Sequence, residues 1–127
     1  MRKRIREESE GVIITLRQSQ NGTIIVFMRI IALSSLKAFW GNNPEYADAT
    51  DQALAWYRFT LHADWATPAD VKLDFRNASI LKDGRVVFNV AGNKYRLVVW
   101  INYAYRVVYI RFIGTHAQYD KIDVQTI

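Results

Sequence analysis

The sequence predicts an α+β domain: a short N-terminal strand, two to three helices, then a three-stranded antiparallel meander forming one sheet with helices on one face. Three observations lead there. Between Asn43 and about His62 apolar residues recur at spacings of three and four, the period of one helical face. After Lys82-Asp83-Gly84 the period changes to two, in runs rich in Val, Ile, Tyr, Phe and Trp. The links between those runs, Ala91-Gly92-Asn93 and Ala104-Tyr105, are of hairpin length, so successive strands are expected to pair antiparallel.

The elements follow in chain order. Residues 1–27 differ from the rest: RKRIREESE is a charged cluster without apolar period, and GVIITLRQSQNGTIIVF holds two strand-like runs around Asn21-Gly22, a hairpin dipeptide. They read as an N-terminal extension, either an extra hairpin or residues ahead of a true start at Met28, and the second reading is preferred. Residues 28–127 then form the working domain. Arg29–Leu33 reads as a short buried strand. Ser34 or Ser35 is expected to cap a helix through SLKAFW, since a serine oxygen accepts from free N–H groups of a first turn. Asn43-Pro44-Glu45 gives cap, proline and acid in the order a helix start requires. The helix it opens carries Tyr46, Thr50, Ala53, Leu54, Trp56, Tyr57 and Leu61 on one face. Thr67-Pro68-Ala69-Asp70 repeats the signal for a third, short helix toward Phe75. Strands are expected over Arg85–Val90, Tyr95–Tyr103 and Arg106–Ile113.

Composition narrows the function. The chain of 127 residues is 50% apolar and has no cysteine, which excludes disulfides, thiolate metal sites and cysteine nucleophiles. Two histidines, His62 and His116, argue against a histidine-rich metal centre, and no cofactor is expected. The longest apolar run, Thr23–Leu33, is short and broken by Arg29, so no membrane span is expected. REESE follows the basic start at once, contrary to a signal peptide, and the expected location is the cytoplasm. Charge is uneven: residues 28–71 sum to −2, while residues 72–127 carry nine basic against four acidic side chains. A basic, strand-rich half suggests an anionic partner such as nucleic acid, although a solvated surface gives the same sum.

Alternation along the strands sorts candidate residues by face. Tyr95, Leu97, Val99 and Ile101 form a core face, as do Val86, Phe88 and Val90, and Val108, Ile110 and Phe112. Opposite them stand Arg85 and Asn89, then Lys94, Arg96, Val98 and Trp100, then Tyr109 and Arg111. Three neighbouring strands thus each offer a cation on the face away from the helices. The stretch FIGTHAQYDKID brings His116, Tyr119 and Asp120 just beyond Arg111. Such a group could hold a phosphodiester and stabilise the added charge of its transition state, with Tyr119 stacking a base. The plainer reading stands beside it. A sheet with one solvated face carries Arg and Lys there as a rule, Gly114 and Thr115 can end a strand and start a helix, and Asp120 can cap or pair.

From Met28 onward the chain resembles the HigB family of bacterial toxins, a branch of the RelE-like mRNA interferases. The stretches that carry the resemblance are MRIIALSSLKAFW, AWYRFTLHADWATPADVK, RVVFNVAGNKYRLVVWINY and VYIRFIGTHAQYDKID. It implies a RelE-like fold and a metal-independent endoribonuclease that cuts mRNA on the ribosome, the RNA's own 2′-hydroxyl attacking the adjacent phosphate. It also implies a HigA-type helix-turn-helix antitoxin as partner. By the same resemblance Arg96 and Arg111 bind the scissile phosphate, His116 serves as general acid or base, and Tyr119 and Asp120 orient it or the substrate. Lys94, Arg85, Asn89 and Asp120 are the residues expected to contact RNA. Gln118 stands where many relatives carry Glu. A catalytically silent RNA-binding or antitoxin-binding relative is the alternative.

Overall fold

The computed structural model describes residues 3–7, 13–18 and 24–127, with side chains from Phe27 onward. Three N-terminal strands, β1 (Lys3–Glu7), β2 (Ile13–Gln18) and β3 (Ile24–Val26), form an antiparallel sheet in the order β1-β2-β3. The two strand-like runs read in this region therefore pair with each other, and the charged cluster adds a third strand. Asn21-Gly22 lies outside the described residues.

A second sheet begins at β4 (Arg29–Ile31), so the boundary between the two sheets falls at Phe27-Met28. This sheet has five strands, in the order β4-β8-β7-β6-β5, where three were expected. Its centre is the predicted meander: β6 (Arg85–Val90), β7 (Tyr95–Asn102) and β8 (Val107–Thr115), antiparallel throughout. The extra strands lie at its edges. β4 pairs parallel with β8, Ile30 opposite Val108, and the two-residue β5 (Ser79–Ile80) pairs with Val87 and Val86. Periodicity announces neither strand as part of the sheet: two or three residues carry no measurable period, and the parallel partner of β4 lies far off in sequence.

The helices follow the sequence with corrections at their starts. Helix α1 spans Leu33–Gly41 and is capped by Ala32, not by Ser34 or Ser35. Both serines sit inside its first turn, where the N–H of Ser35 already bonds to the carbonyl of Ala32 at 3.1 Å. Pro44 opens a helix as expected, but Pro44–Ala49 is a 3-10 helix that passes into α2 at Thr50–His62. The Asn43 carboxamide turns back and donates to the carbonyl of Phe39 at 3.2 Å, closing α1 instead of capping the next helix. Helix α3 (Pro68–Asp74) is as read: Thr67 Oγ1 accepts from the Asp70 N–H, and Asp70 Oδ2 accepts from Thr67 and Ala66 at 3.0 and 2.9 Å.

The core lies between the helices and one face of the five-stranded sheet. Ala53, Trp56, Tyr57 and Leu61 of α2 meet Val86, Phe88, Tyr95, Leu97 and Val99, all buried. Trp65, 1% exposed, stacks at 6.1 Å on Phe88. The opposite face is not simply solvated. Val87 and Val98 are buried on it, and the C-terminal stretch reaches it: Arg85 Nη2 donates to the Ile127 carbonyl at 2.6 Å and Gln125 Nε2 to the Lys82 carbonyl at 3.4 Å. Trp100 and Tyr109 stack across the strands at 5.0 Å. The turn before β6 depends on Gly84, whose φ is +79° and whose missing Cβ would sit 2.7 Å from the carbonyl oxygen of Ile101.

Candidate active site at the ends of β7 and β8

The antiparallel register of β7 and β8 assembles the candidate site. Tyr95 pairs with Thr115 and Arg96 with Gly114. One step further, the His116 N–H donates to the Lys94 carbonyl at 3.3 Å. Strand β8 ends because Thr115 caps a four-residue helix, α4 (His116–Tyr119). Thr115 Oγ1 accepts from the Gln118 N–H at 3.1 Å, and Gln118 Oε1 accepts from the Thr115 N–H at 2.8 Å. This reciprocal cap needs a side-chain oxygen three residues into the helix, and Gln supplies it as well as Glu. Gln118 is therefore a building residue of the turn.

His116 is exposed, and its Nδ1 lies 3.2 Å from Asp120 Oδ2, one helical turn on. A carboxylate on one ring nitrogen fixes the orientation of the imidazole and leaves Nε2 for a substrate. Tyr119 is half-buried, and its ring stacks on no other aromatic among the described residues. Arg96 is half-buried, with Nη1 donating to the Asn93 carbonyl at 2.9 Å, which holds the guanidinium at the β6–β7 turn. Asn89 lies directly across from Arg96 on β6. Arg96, Asn89, His116, Tyr119 and Asp120 thus come from the same end of three adjacent elements.

Three residues read as part of this group do not join it as expected. Arg111 falls in a β-bulge: Val98 pairs with Phe112 but Val99 with Ile110, so Arg111 has no partner in the register. The extra residue breaks the alternation that the sequence reading assumed. Phe112 moves to the face of Val98, and Ile113, opposite Leu97, takes the core position expected of Phe112. Arg111 is exposed and lines a shallow pocket with Ser35, Ala38 and Asn42 of the α1 end. Arg85 is half-buried and tied to Ile127. Lys94 turns away from the cation cluster and forms an ion pair with Asp48.

Asp48 is what the sequence reading missed, together with Tyr46 and Tyr95. Asp48 and Tyr46 stand on the 3-10 helix, Pro44–Ala49, next to the start of β7, where Tyr95 lies. The Asp48 carboxylate accepts from the Lys94 ammonium with one oxygen and from the phenol of fully buried Tyr95 with the other. The Lys94 hydrogen bond, then that of Tyr95, holds the Asp48 carboxyl below its usual value. Lys94 is raised in turn by Asp48. Tyr95 is raised by burial first and by Asp48 second. Tyr46 stacks on Phe39 at 4.5 Å, meets Tyr95 edge-on at 6.0 Å, and accepts from Gln118 Nε2 at 3.3 Å. Asp48 and Lys94 are 46 residues apart, so no local motif announces the pair.

A larger open pocket of about 680 Å³ lies along the outer edge of β6, between α2 and the segment after α3. Trp56, Phe59, Phe75, Asn77 and Asn89 line it. It reaches Asn89 and Asn93 but not His116.

Comparison with known proteins supports the resemblance read from the sequence. Residues 49–122 match a family described as HigB_toxin, RelE-like toxic component of a toxin-antitoxin system. The mRNA interferase HigB of Escherichia coli O6:H1 (strain CFT073) is 31% identical over 68 residues, which are 52% of this chain and 66% of that protein. The chain thus spans just under two thirds of the length of that relative. The family match covers α2, α3, the meander and the His-Tyr-Asp turn, more than half of the sequence. The chain belongs to the HigB family of RelE-like toxins of toxin–antitoxin systems.

Proposed function

We propose that the protein is the toxin of a type II toxin–antitoxin system and acts as a metal-independent endoribonuclease on mRNA. The observation that carries this reading is the juxtaposition of Arg96 and His116 across the β7–β8 pair, in a chain of the HigB family. Cleavage by attack of the RNA 2′-hydroxyl needs a base, a cation for the doubly charged phosphorane-like transition state, and an acid for the departing 5′-oxygen. In this reading His116, with Nδ1 3.2 Å from Asp120 Oδ2, moves one of these protons. Arg96 supplies the cation, from the neighbouring strand opposite Gly114, two residues before the histidine. Tyr119 stands on the same short helix for stacking on a base or for the second proton transfer.

The deviations matter to the roles. Arg111 is a peripheral phosphate contact in this reading, and Lys94 and Arg85 are occupied by Asp48 and Ile127. The RNA is cut on the ribosome, and a HigA-type helix-turn-helix antitoxin neutralises the toxin in the cytoplasm. Among the described residues no helix is long and apolar enough to cross a membrane. Residues 28–127 are the working domain, since the five-stranded sheet starts at Arg29 and the described strands before it, β1 to β3, pair with one another in a separate sheet.

Primer extension on mRNA from cells briefly expressing the chain, beside His116→Ala, tests the proposal. New cuts inside translated frames that vanish in the variant are expected. Equal amounts of soluble wild-type protein and no cuts would instead mark a silent RNA-binding or antitoxin-binding relative.

A further inference from the structure

We infer that Asp48 and Tyr46 are positioning residues for His116: the 3-10 helix they occupy clamps the two strand ends on which the histidine stands. This inference rests on the catalytic reading of His116. Both residues lie before the stretch that matches the family, so family membership does not assign them.

Two independent hydrogen-bond routes lead from this segment to the histidine. Along the first, Asp48 binds the Lys94 ammonium and the Tyr95 phenol, and the Lys94 carbonyl receives the His116 N–H. Along the second, the Tyr46 hydroxyl accepts from Gln118 Nε2, and the other end of the same carboxamide accepts from the Thr115 N–H at 2.8 Å. Lys94 and Thr115 flank the histidine on opposite strands. Holding both fixes where α4 starts, and hence where the imidazole points relative to Arg96. The rings reinforce this, because Tyr46, Phe39 and Tyr95 all contact one another, at 4.5 to 6.0 Å between centroids.

The arrangement is better suited to geometry than to stability. Asp48 and Lys94 are 46% and 58% exposed at their side chains, and exposed pairs contribute little to folding. Tyr95, in contrast, is wholly buried, and Asp48 is the acceptor of its phenol. A buried hydroxyl with one good acceptor has a single preferred orientation. Asp48 therefore locks the end of β7, not merely its surface. Small displacements of a catalytic group cost up to a hundredfold in rate, so a clamp of this kind acts on turnover before it acts on binding.

The test compares Asp48→Ala, Asp48→Asn and Tyr46→Phe with the full wild-type chain in two measurements. The first is the NMR signals of His116, its amide and its imidazole C2 proton, which need no activity. The second is single-turnover cleavage of a labelled mRNA on programmed ribosomes. Asp48→Ala is expected to move both His116 signals and to lower kcat at least about tenfold with KM unchanged. Asp48→Asn, whose amide oxygen still accepts from Tyr95, retains most of the rate, and Tyr46→Phe loses a smaller part. His116 signals that stay in place in folded Asp48→Asn, Asp48→Ala and Tyr46→Phe would overturn the inference, as would a change in KM alone, which would make Lys94 an RNA contact released from Asp48. A wild-type chain that does not cut refutes the catalytic reading, while the NMR signals still decide the clamp.

Discussion

Lys94 carries the turn of His116 on its main chain, carbonyl to amide at 3.3 Å, while its ammonium points to Asp48. A lysine beside a basic motif suggests an RNA contact, yet here its backbone builds the site and its charge is neutralised by a residue from a distant helix. The same strand ends bring Arg96 opposite Gly114, two residues before the histidine.

His116→Ala is expected to lower the cleavage rate by about a hundredfold or more, the usual worth of a positioned acid or base. Arg96→Ala should lose a similar factor, since one donor to a developing oxyanion contributes about 2.7–4 kcal/mol. Arg58, exposed on α2 and away from the strand ends, is the fitting control, and Arg58→Ala should cut at the wild-type rate. Lys72 serves this purpose poorly, because its ammonium holds the carbonyls of Arg76 and Ala78. Growth arrest and quantified primer-extension products are the measurements.

Arg111 and Arg96 are not equivalent. The bulge sets Arg111 toward the end of α1, so Arg111→Ala should weaken RNA binding and its salt dependence more than the single-turnover rate. Arg96→Ala should do the reverse. Filter binding at two salt concentrations together with single-turnover kinetics separates the two; equal losses of rate would place both guanidinium groups on the scissile phosphate.

Stability should depend on pH through Asp48, by a small amount because its carboxylate and the Lys94 ammonium are both exposed. Its carboxyl titrates below the ordinary 3.8, held there by Lys94 and then Tyr95. A group whose pKa falls on folding favours the folded state when ionised, so this contribution is complete above about pH 4 and is lost as pH drops through the lowered native value. Asp70, lowered by the N–H groups of Ala66 and Thr67, acts in the same window. At the alkaline end Lys94 is raised above 10.5 by Asp48, so its contribution is full below that value and disappears as pH climbs past the raised one. Asp48→Asn should flatten both arms, leaving the acid loss due to Asp70 and the burial effect on Tyr95. Urea midpoints across the acid range, and again near pH 11, for both proteins provide the check.

Two substitutions probe the parts of the sheet that depend on tertiary packing. Val98→Ala removes two buried carbons on the face opposite the helices and should cost about 2 kcal/mol, where an open face would give almost nothing. Gly84→Ala meets both a positive φ and the Ile101 carbonyl, and should cost more than about 1 kcal/mol. Thermal or urea denaturation measures each.

Patterns within a few residues determined much of this protein. The helical period of α2, the capping box of α3 and the alternation of β6 and β7 were all legible, because each is a local balance of side-chain burial and backbone hydrogen bonds. Thr115 ending a strand and starting a helix was legible for the same reason. Tertiary structure decided the rest. The parallel pairing of β4 with β8, the bulge that removes Arg111 from the cation row, and the return of the C-terminal residues to Arg85 and Lys82 all depend on residues far apart in the chain. So does the meeting of Asp48 with Lys94 and Tyr95. The strand alternation showed that cations were available on the strands and an imidazole just beyond them. Only folding, which selects one register and one buried orientation for Tyr95, determined that Arg96 stands opposite Gly114, two residues before His116, and that Lys94 and Arg85 are already occupied.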